Sequence, residues 1–274
     1  MVQIIVVSIP VIVFVIYFAV MSLSRRTREK RRASVSSQEF PEEWNGYLEK
    51  HFELFKYMPE GLQKKLRRYI LIFIDEKEFM GSGGLELTDE MKVVVSAQAL
   101  LLILGMKKPH FYPKLYIIEL YPAAYKTMAH DGVTVSESVR LGESWQGGRL
   151  VLSWEHSRQG KYAWNDGSSV VVHEFAHRLD QLSGRADGAP VLDEVRCYSA
   201  WSEVMSREYD KMLKTIEKRD KYLLDEYGAT NPAEFFAVAT EVFFERPLDM
   251  KKQMPEVYKM LKYFYKLDPA EWIP

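Results

Sequence analysis

The stretch SSVVVHEFAHRLDQL, from Ser168 to Leu182, decides the predicted fold. Its apolar residues recur at helical spacing, and Gly184 follows at the point where such a helix would end. On a helix, His173 and His177 lie on one face, about 5–6 Å apart at Cβ, so both imidazoles can bind one ion. Zinc suits two imidazoles and one carboxylate, with a fourth position left for water.

Glu174 directly follows the first of these histidines. Its carboxylate can take a proton from a zinc-activated water and later pass it to a leaving amine. The alternative is that both histidines are satisfied by hydrogen bonds within an ordinary core helix. However, a helix that is buried on most sides must satisfy two His and one Glu, and a metal ion does so. The pattern therefore predicts a zinc-dependent hydrolytic site on this helix.

A two-histidine site needs a third protein ligand, and Glu234 is the predicted one. It opens a second apolar helix, in NPAEFFAV from Asn231 to Val238, 61 positions after His173 (234 − 173 = 61). An acid on an apolar face requires a counter-charge, which zinc supplies. Asp180 and Glu241 are the competing acids. Either could accept a hydrogen bond from a ligand imidazole, or be an ordinary charge on a helix surface.

The body of the chain, from Trp44 onward, is predicted to be one domain. Further helices are predicted at Pro59–Glu78, Thr88–Gly105, Tyr198–Lys218, Asn231–Glu245 and Pro255–Lys266. Strands are predicted at Leu115–Pro122 and Gly148–Trp154, which are rich in β-branched and aromatic residues. Because helices dominate and a small sheet precedes the motif helix, the predicted fold class is α+β.

Composition narrows the function classes. Hydrophobic residues make up 47% and charged residues 27% of the chain, which is ordinary for a globular protein. The cluster Arg25–Arg32 holds six of the 37 Lys and Arg and one of the 38 Asp and Glu, which leaves 31 basic against 37 acidic groups elsewhere. An acidic body excludes nucleic acid as the expected partner. Cys197 is the only cysteine, so neither an internal disulfide nor a cysteine zinc site can form.

The first segment predicts a single-pass membrane anchor. No charged side chain occurs between Met1 and Ser24, and about 20 apolar residues at roughly 1.5 Å each match a hydrocarbon core of about 30 Å. A cleaved signal peptide is the alternative, but a basic leading region and a small-residue cleavage site are missing. The basic cluster that follows should keep the body in the cytoplasm. We therefore expect an anchor at 1–24, a basic and polar linker at 25–43 and a peptidase domain at 44–274.

Four motifs together resemble a known family. They are HEFAHRLD at His173, YGATNPAEFFAVATEVFFE at Tyr227, GLELTDEM near Leu85 and LGESW near Leu141. From about Phe52 to Trp272, the chain looks like the Mlc titration factor family of zinc peptidases, whose catalytic core is similar to the metalloprotease domain of anthrax lethal factor. The resemblance implies a zincin-like domain, aminopeptidase-like activity and binding of a sugar-responsive transcriptional repressor. The predicted membrane segment departs from the best-known members, which are soluble.

The resemblance also implies a role for each site residue. His173, His177 and Glu234 bind zinc, and Glu174 is the general base. In the lethal-factor-like pattern a Tyr lies seven residues before the ligand Glu, and Tyr227 stands at that position. Its phenol would donate to the oxyanion of the tetrahedral intermediate; the alternative is an aromatic packed in a loop. The expected partner is a peptide or protein substrate. The main alternative function is a regulatory protein that sequesters a transcriptional repressor with little catalysis.

Overall fold

The structure is a computed structural model that describes residues 2–123, 125–128, 137–140, 142–144, 148–158 and 167–273. It divides into two compact units, Met1–Glu39 and Phe40–Pro274. The second unit contains the predicted ligand helices and the sheet, so the candidate site lies entirely within it.

The first unit is formed by one helix, α1 (Val2–Ser36). No Gly or Pro occurs between positions 11 and 40, so neither residue type interrupts the helix before it ends at Ser36. Consequently, residues 25–36 of the predicted linker are helical, and Arg25 pairs with Glu29 one turn later at 3.0 Å. Among the helices that the structure describes, none combines the length and apolar composition needed to cross a membrane, and the spanning helix expected at Met1–Ser24 is not found among them.

The second unit is mainly helical. Its helices are α2 (Glu42–His51), α3 (Leu54–Tyr57), α4 (Glu60–Glu76), α5 (Asp89–Leu101), α6 (Trp154–Ser157), α7 (Val170–Asp180), α8 (Cys197–Glu217), α9 (Pro232–Glu245), α10 (Pro247–Gln253) and α11 (Pro255–Tyr265). Single 3₁₀ turns lie at Gln181–Ser183, Glu226–Ala229 and Pro269–Glu271. The predicted helices are confirmed as α4, α5, α7, α8, α9 and α11, with ends that agree to within about one turn. Helices α2, α3, α6 and α10 were not predicted from the sequence.

A small mixed sheet lies beside these helices. The strands are β1 (Glu78–Gly81), β2 (Ile117–Tyr121), β3 (Tyr125–Met128), β4 (Glu137–Arg140), β5 (Gly142–Ser144) and β6 (Arg149–Ser153). Four of them form one sheet in the order β1-β2-β6-β5, while β3 and β4 form a separate antiparallel pair. Strands β1, β2 and β6 are parallel, with Ile118 opposite Leu150, and β5 runs antiparallel to β6. The α+β class is confirmed, and the two predicted strands are β2 and β6.

The core surrounds one face of α7. Phe175 is completely buried, and its ring centroid lies 4.7 Å from that of Tyr112 and 6.1 Å from that of Phe73. Burying one such side chain contributes about 1.5–3 kcal/mol. Position 175 lies roughly 200° around the helix from positions 173 and 177, so the face carrying both histidines points away from this aromatic cluster. The packing of Phe175 therefore orients His173 and His177 away from this aromatic cluster.

Candidate metal centre

Helix α7 begins at a serine cap. The side chain of Ser169 accepts a hydrogen bond from the backbone N–H of Val172 at 3.3 Å, which satisfies one of the amides that a helix start leaves without a partner. The helix is followed by one 3₁₀ turn and then by Gly184, whose φ of 85° is in the left-handed region that glycine adopts without strain. These two ends place the motif histidines in the middle of a short, well-defined helix.

Helix α9 brings Glu234 to the same place. Oδ1 of Asn231 accepts hydrogen bonds from the backbone N–H groups of Ala233 and Glu234, at 2.9 and 3.0 Å. Pro232 occupies the first turn, where its missing N–H costs nothing. The cap therefore fixes where α9 begins, and Glu234 lies in its first turn, beside α7.

Three predicted ligand atoms meet between α7 and α9. Oε2 of Glu234 lies 3.0 Å from Nε2 of His173 and 3.1 Å from Nε2 of His177, and the two Nε2 atoms are 3.1 Å apart. All three side chains are largely buried, with 14–16% of their surface exposed. Together they form a group that could hold one metal ion. The structure thus brings together the three residues that the sequence analysis proposed as ligands.

Glu241 lies behind His173 and orients its ring. One carboxylate oxygen of Glu241 is 2.7 Å from Nδ1 of His173, and the other accepts the backbone N–H of Ser169 at 2.5 Å. A carboxylate accepts hydrogen bonds, so Nδ1–H of His173 donates to Glu241, and this contact fixes the orientation in which Nε2 faces Glu234. A histidine that binds a metal ion through Nε2 commonly has such a carboxylate at Nδ1, so this arrangement suits a metal ligand.

The electrostatics of the cluster also fit a cation. Burial alone would lower the pKa of His173, but its hydrogen bonds to Glu234 and Glu241 raise that pKa to about 10. Burial would raise the pKa of Glu234, but hydrogen bonds from His173 and His177 lower it to about 2. Together with Glu174, these carboxylates favour positive charge at the centre of the cluster. A divalent cation would supply that charge in place of a proton, and two nitrogens with one carboxylate suit zinc.

Glu174 lies next to this cluster without belonging to it. Its side chain is buried, and burial raises its pKa, partly offset by the nearby His173 and His177. It lines a cavity of about 570 Å³ together with both histidines and Glu234. A buried carboxyl group with a raised pKa is suited to accept and then donate a proton at this cavity.

Tyr227 lies at the same cavity, beside His173. The centroids of the two rings are 5.9 Å apart, and the tyrosine is 56% exposed. Its backbone N–H donates to Oδ1 of Asp225 at 2.8 Å, which anchors the 3₁₀ turn that presents the phenol. Such exposure does not fit an aromatic packed inside a loop, the alternative that the sequence left open.

Asp180 and Glu241, between which the sequence could not decide, have different surroundings. Asp180 is completely buried, and its Oδ2 accepts the backbone N–H of Gly188 at 2.8 Å. Glu241 is the carboxylate that contacts the imidazole of His173. Of the LGESW motif, Leu141 and Trp145 lie outside the described residues, and the three residues between them form β5.

Two further residues that support the site were not identified from the sequence. The hydroxyl of Ser169 donates to Oε1 of Gln98 at 2.9 Å, and the side-chain amide of Gln98 donates to the Ser157 carbonyl at 2.9 Å. A buried chain of hydrogen bonds thus runs from Gln98 through Ser169 to Glu241 and His173. The capping preference of serine was a signal for Ser169, whereas Gln98 lies in an apolar run that gives no such signal.

Comparison with known proteins identifies the family to which the chain belongs. Residues 24–266 match the family model described as glucose-regulated metallo-peptidase M90. The chain is 35% identical over 245 residues to an uncharacterised protein of Synechocystis sp., which covers 87% of this chain and 89% of that one. It is 28% identical over 208 residues to Mlc titration factor A of Pectobacterium atrosepticum, covering 72% and 76%. It is 27% identical over 249 residues to Mlc titration factor A of Yersinia pestis, covering 87% and 89%. The resemblance drawn from the motifs is confirmed, and the chain belongs to the M90 family of glucose-regulated metallo-peptidases.

Proposed function

We propose that the chain is a zinc-dependent peptidase that hydrolyses peptide bonds. The observation that carries the proposal is the convergence of His173, His177 and Glu234, whose ligand atoms lie 3.0–3.1 Å from one another. Membership of a metallopeptidase family supports the reaction class, and the donor set of two nitrogens and one oxygen supports zinc. When bound, zinc would polarise the substrate carbonyl and lower the pKa of a water molecule.

Glu174 then has a specific task. Its carboxylate takes a proton from the attacking water and delivers it to the nitrogen of the leaving amine. Its burial, which raises its pKa, suits both halves of that transfer. A site that held an ion only for structural reasons would have no use for this acid beside its ligands, so Glu174 favours an enzyme over a structural metal site.

Two other residues support the reaction. Glu241 keeps Nε2 of His173 directed at Glu234, so the ligand set is organised before any ion binds. Tyr227, at the exposed side of the same cavity, donates its phenolic hydrogen to the substrate oxygen as that oxygen gains negative charge. Whether cleavage occurs at the end of a peptide, as in an aminopeptidase, or inside it depends on the rest of the cavity.

Metal analysis and hydrolysis assays on the purified full-length chain test this proposal. We expect one zinc per chain in the wild type and none in His173→Ala. Glu174→Gln should keep its zinc and lose at least about 100-fold in peptide hydrolysis, because a neutral amide cannot accept the proton. His110→Ala removes a histidine outside the cluster and should change neither property. A wild-type chain without zinc, or unchanged hydrolysis in Glu174→Gln, would show that the proposal is wrong.

A second function is suggested by the name of the relatives, Mlc titration factor A. In this alternative, the chain binds and sequesters a transcriptional regulator and catalyses little. The same variant separates the two functions, because sequestration should survive Glu174→Gln while peptidase activity should not. A regulator that binds the wild type and Glu174→Gln equally, with no hydrolysis by either, would favour the alternative.

We propose in addition that Met1–Ser24 tethers the chain to a membrane, with the second unit in the cytoplasm. The support comes from the sequence. This stretch contains no charged side chain, and six of the eight residues from Arg25 to Arg32 are basic. Basic residues that flank a spanning segment stay preferentially on the cytoplasmic side.

A further inference from the structure

Gly188 holds a surface loop against the helix that carries Glu234. Its φ is +79°, and a Cβ at this position would lie only 2.4 Å from the carbonyl oxygen of Pro232. The Gly188 N–H donates to Oδ2 of Asp180 at 2.8 Å, and its carbonyl oxygen accepts the indole N–H of Trp201 at 3.0 Å. Asp180 and Trp201 are both buried. The backbone at Gly188 is therefore fixed against the first turn of α9 from three directions.

Asp187 directly precedes this fixed point. It is exposed, and it lines the same cavity as His177 and Glu234. Its Oδ1 accepts the backbone N–H of Ala189 at 3.3 Å, which limits the rotation of the carboxylate. Because Gly188 cannot move without losing its contacts, Asp187 has a defined place at the edge of the candidate active site.

Among the described residues, Asp187 is the one carboxylate of this cavity that has no role in the proposed reaction. The lining of the cavity includes Glu174, Glu234 and Asp187 and, within the part of the chain that the structure describes, no lysine or arginine. Glu234 belongs to the proposed ligand set, and Glu174 transfers the proton. Asp187 does neither. A carboxylate at the edge of a reaction site attracts cationic groups of a ligand and repels anionic ones.

We propose that Asp187 binds a cationic group of the peptide substrate and thereby determines which peptides are cleaved. The inference rests on the proposed peptidase function and narrows its substrate class to peptides with positive charge near the cleaved bond. Two sources supply that charge. A free α-ammonium group would direct cleavage to the N-terminal end of a peptide, whereas a lysine or arginine side chain would direct it to basic positions within a chain.

Four fluorogenic peptides of otherwise identical sequence separate these sources. Their N-terminus is free or acetylated, and one residue next to the scissile bond is lysine or methionine, which have similar length. The full-length wild type, Asp187→Asn and Asp187→Glu are assayed for kcat/KM on each peptide. Asp210→Asn is the matched control, since Asp210 is an exposed acid on α8 outside this cavity.

We expect the wild type to prefer the cationic peptides by about 10-fold, the size of one charged hydrogen bond. Asp187→Asn should lose this preference, Asp187→Glu should retain part of it, and Asp210→Asn should behave as wild type. If acetylation of the N-terminus abolishes the preference, Asp187 binds the α-ammonium group. If the acetylated lysine peptide is still preferred over the acetylated methionine peptide, Asp187 binds the lysine side chain.

The unfavourable outcomes are distinct. If the wild type cleaves all four peptides equally, or if Asp187→Asn keeps the preference, the role of Asp187 is overturned while the peptidase function stands. If a zinc-loaded wild type cleaves none of them nor any longer peptide, the peptidase function fails and the role of Asp187 fails with it.

Discussion

Glu241 contacts His173 at Nδ1, 2.7 Å away, while Nε2 of the same ring faces Glu234. The two contacts lie on opposite sides of the imidazole. The hydrogen bond from Nδ1 to Glu241 therefore fixes how Nε2 is directed towards Glu234. Glu241 is itself held by the backbone N–H of Ser169 and is buried. The geometry of the candidate metal centre therefore depends on a residue that does not belong to the ligand set.

This relationship predicts the effect of Glu241→Gln. Both groups that Glu241 contacts, Nδ1–H of His173 and the backbone N–H of Ser169, need an acceptor, and a glutamine side chain offers only one. We expect the affinity for zinc to fall by about 10- to 100-fold, measured by competition with a chelator of known affinity. Glu217→Gln, at the exposed end of α8, is the control. Equal affinity in the two variants would show that Glu241 does not position the ligand.

Tyr227→Phe removes only the phenolic oxygen. If that oxygen donates to the developing oxyanion, kcat should fall roughly 100-fold with little change in KM or melting temperature. Tyr116 is similarly exposed, at 62%, and lies outside the site, so Tyr116→Phe should leave kcat unchanged. A lower melting temperature with intact kcat would instead assign Tyr227 a purely structural role.

A pH dependence of stability is expected at the C-terminal end. Asp268 accepts hydrogen bonds from Lys262 and from the hydroxyl of Tyr258, and these lower its pKa below 3.8, although its partial burial acts the other way. Because the folded pKa is lower than the unfolded one, the stabilisation is fully present above the unfolded pKa. It is lost as pH falls through the folded pKa.

Asp268→Asn should therefore lower the free energy of unfolding by about 1 kcal/mol at pH 7. The difference in unfolding free energy between wild type and Asp268→Asn should shrink below about pH 4 and approach a constant small value. Urea unfolding at a series of pH values measures this. Asp210→Asn, which changes an exposed acid, should show no such trend. A difference that stays constant from pH 7 to pH 3 would be inconsistent with the lowered pKa of Asp268.

The proposed topology has its own test. Full-length chain with a C-terminal tag is expressed in a bacterial host, and intact spheroplasts are treated with a protease. The six basic residues of the cluster Arg25–Arg32 should keep the second unit inside, so the tag should be digested only after lysis. Replacing these six residues with neutral ones should weaken that orientation. Digestion without lysis, or recovery of the wild-type chain in the soluble fraction, would overturn the proposal.

The ligand helices could be predicted because their signals are local. Both α7 and α9 begin with a side chain that caps the helix, Ser169 and Asn231, and continue with apolar residues at helical spacing. The i,i+4 spacing of His173 and His177 then fixes their relative position without any knowledge of the fold. The pairing with Glu234 required only that two apolar helices pack side by side.

Other features depend on tertiary packing, and the sequence does not determine them. Asp180 and Glu241 were equally plausible partners for an imidazole, because both have suitable helical spacing. The contact between Asp180 and Gly188 draws that carboxylate to a loop, and only the structure shows it. The strands β1, β3 and β5 have three or four residues each, too few for a periodic pattern. Asp187 is an exposed loop acid with no sequence signal.

The separation of the ligands along the chain has a consequence during synthesis. His173 leaves the ribosome 61 residues before Glu234, and at about 5–20 residues per second this gap lasts roughly 3–12 s. Throughout that interval the nascent chain holds two imidazoles without their carboxylate partner from α9. Under the proposed function, the full ligand set forms only after Glu234, at position 234 of 274, has emerged, and hydrolytic activity begins only after that point.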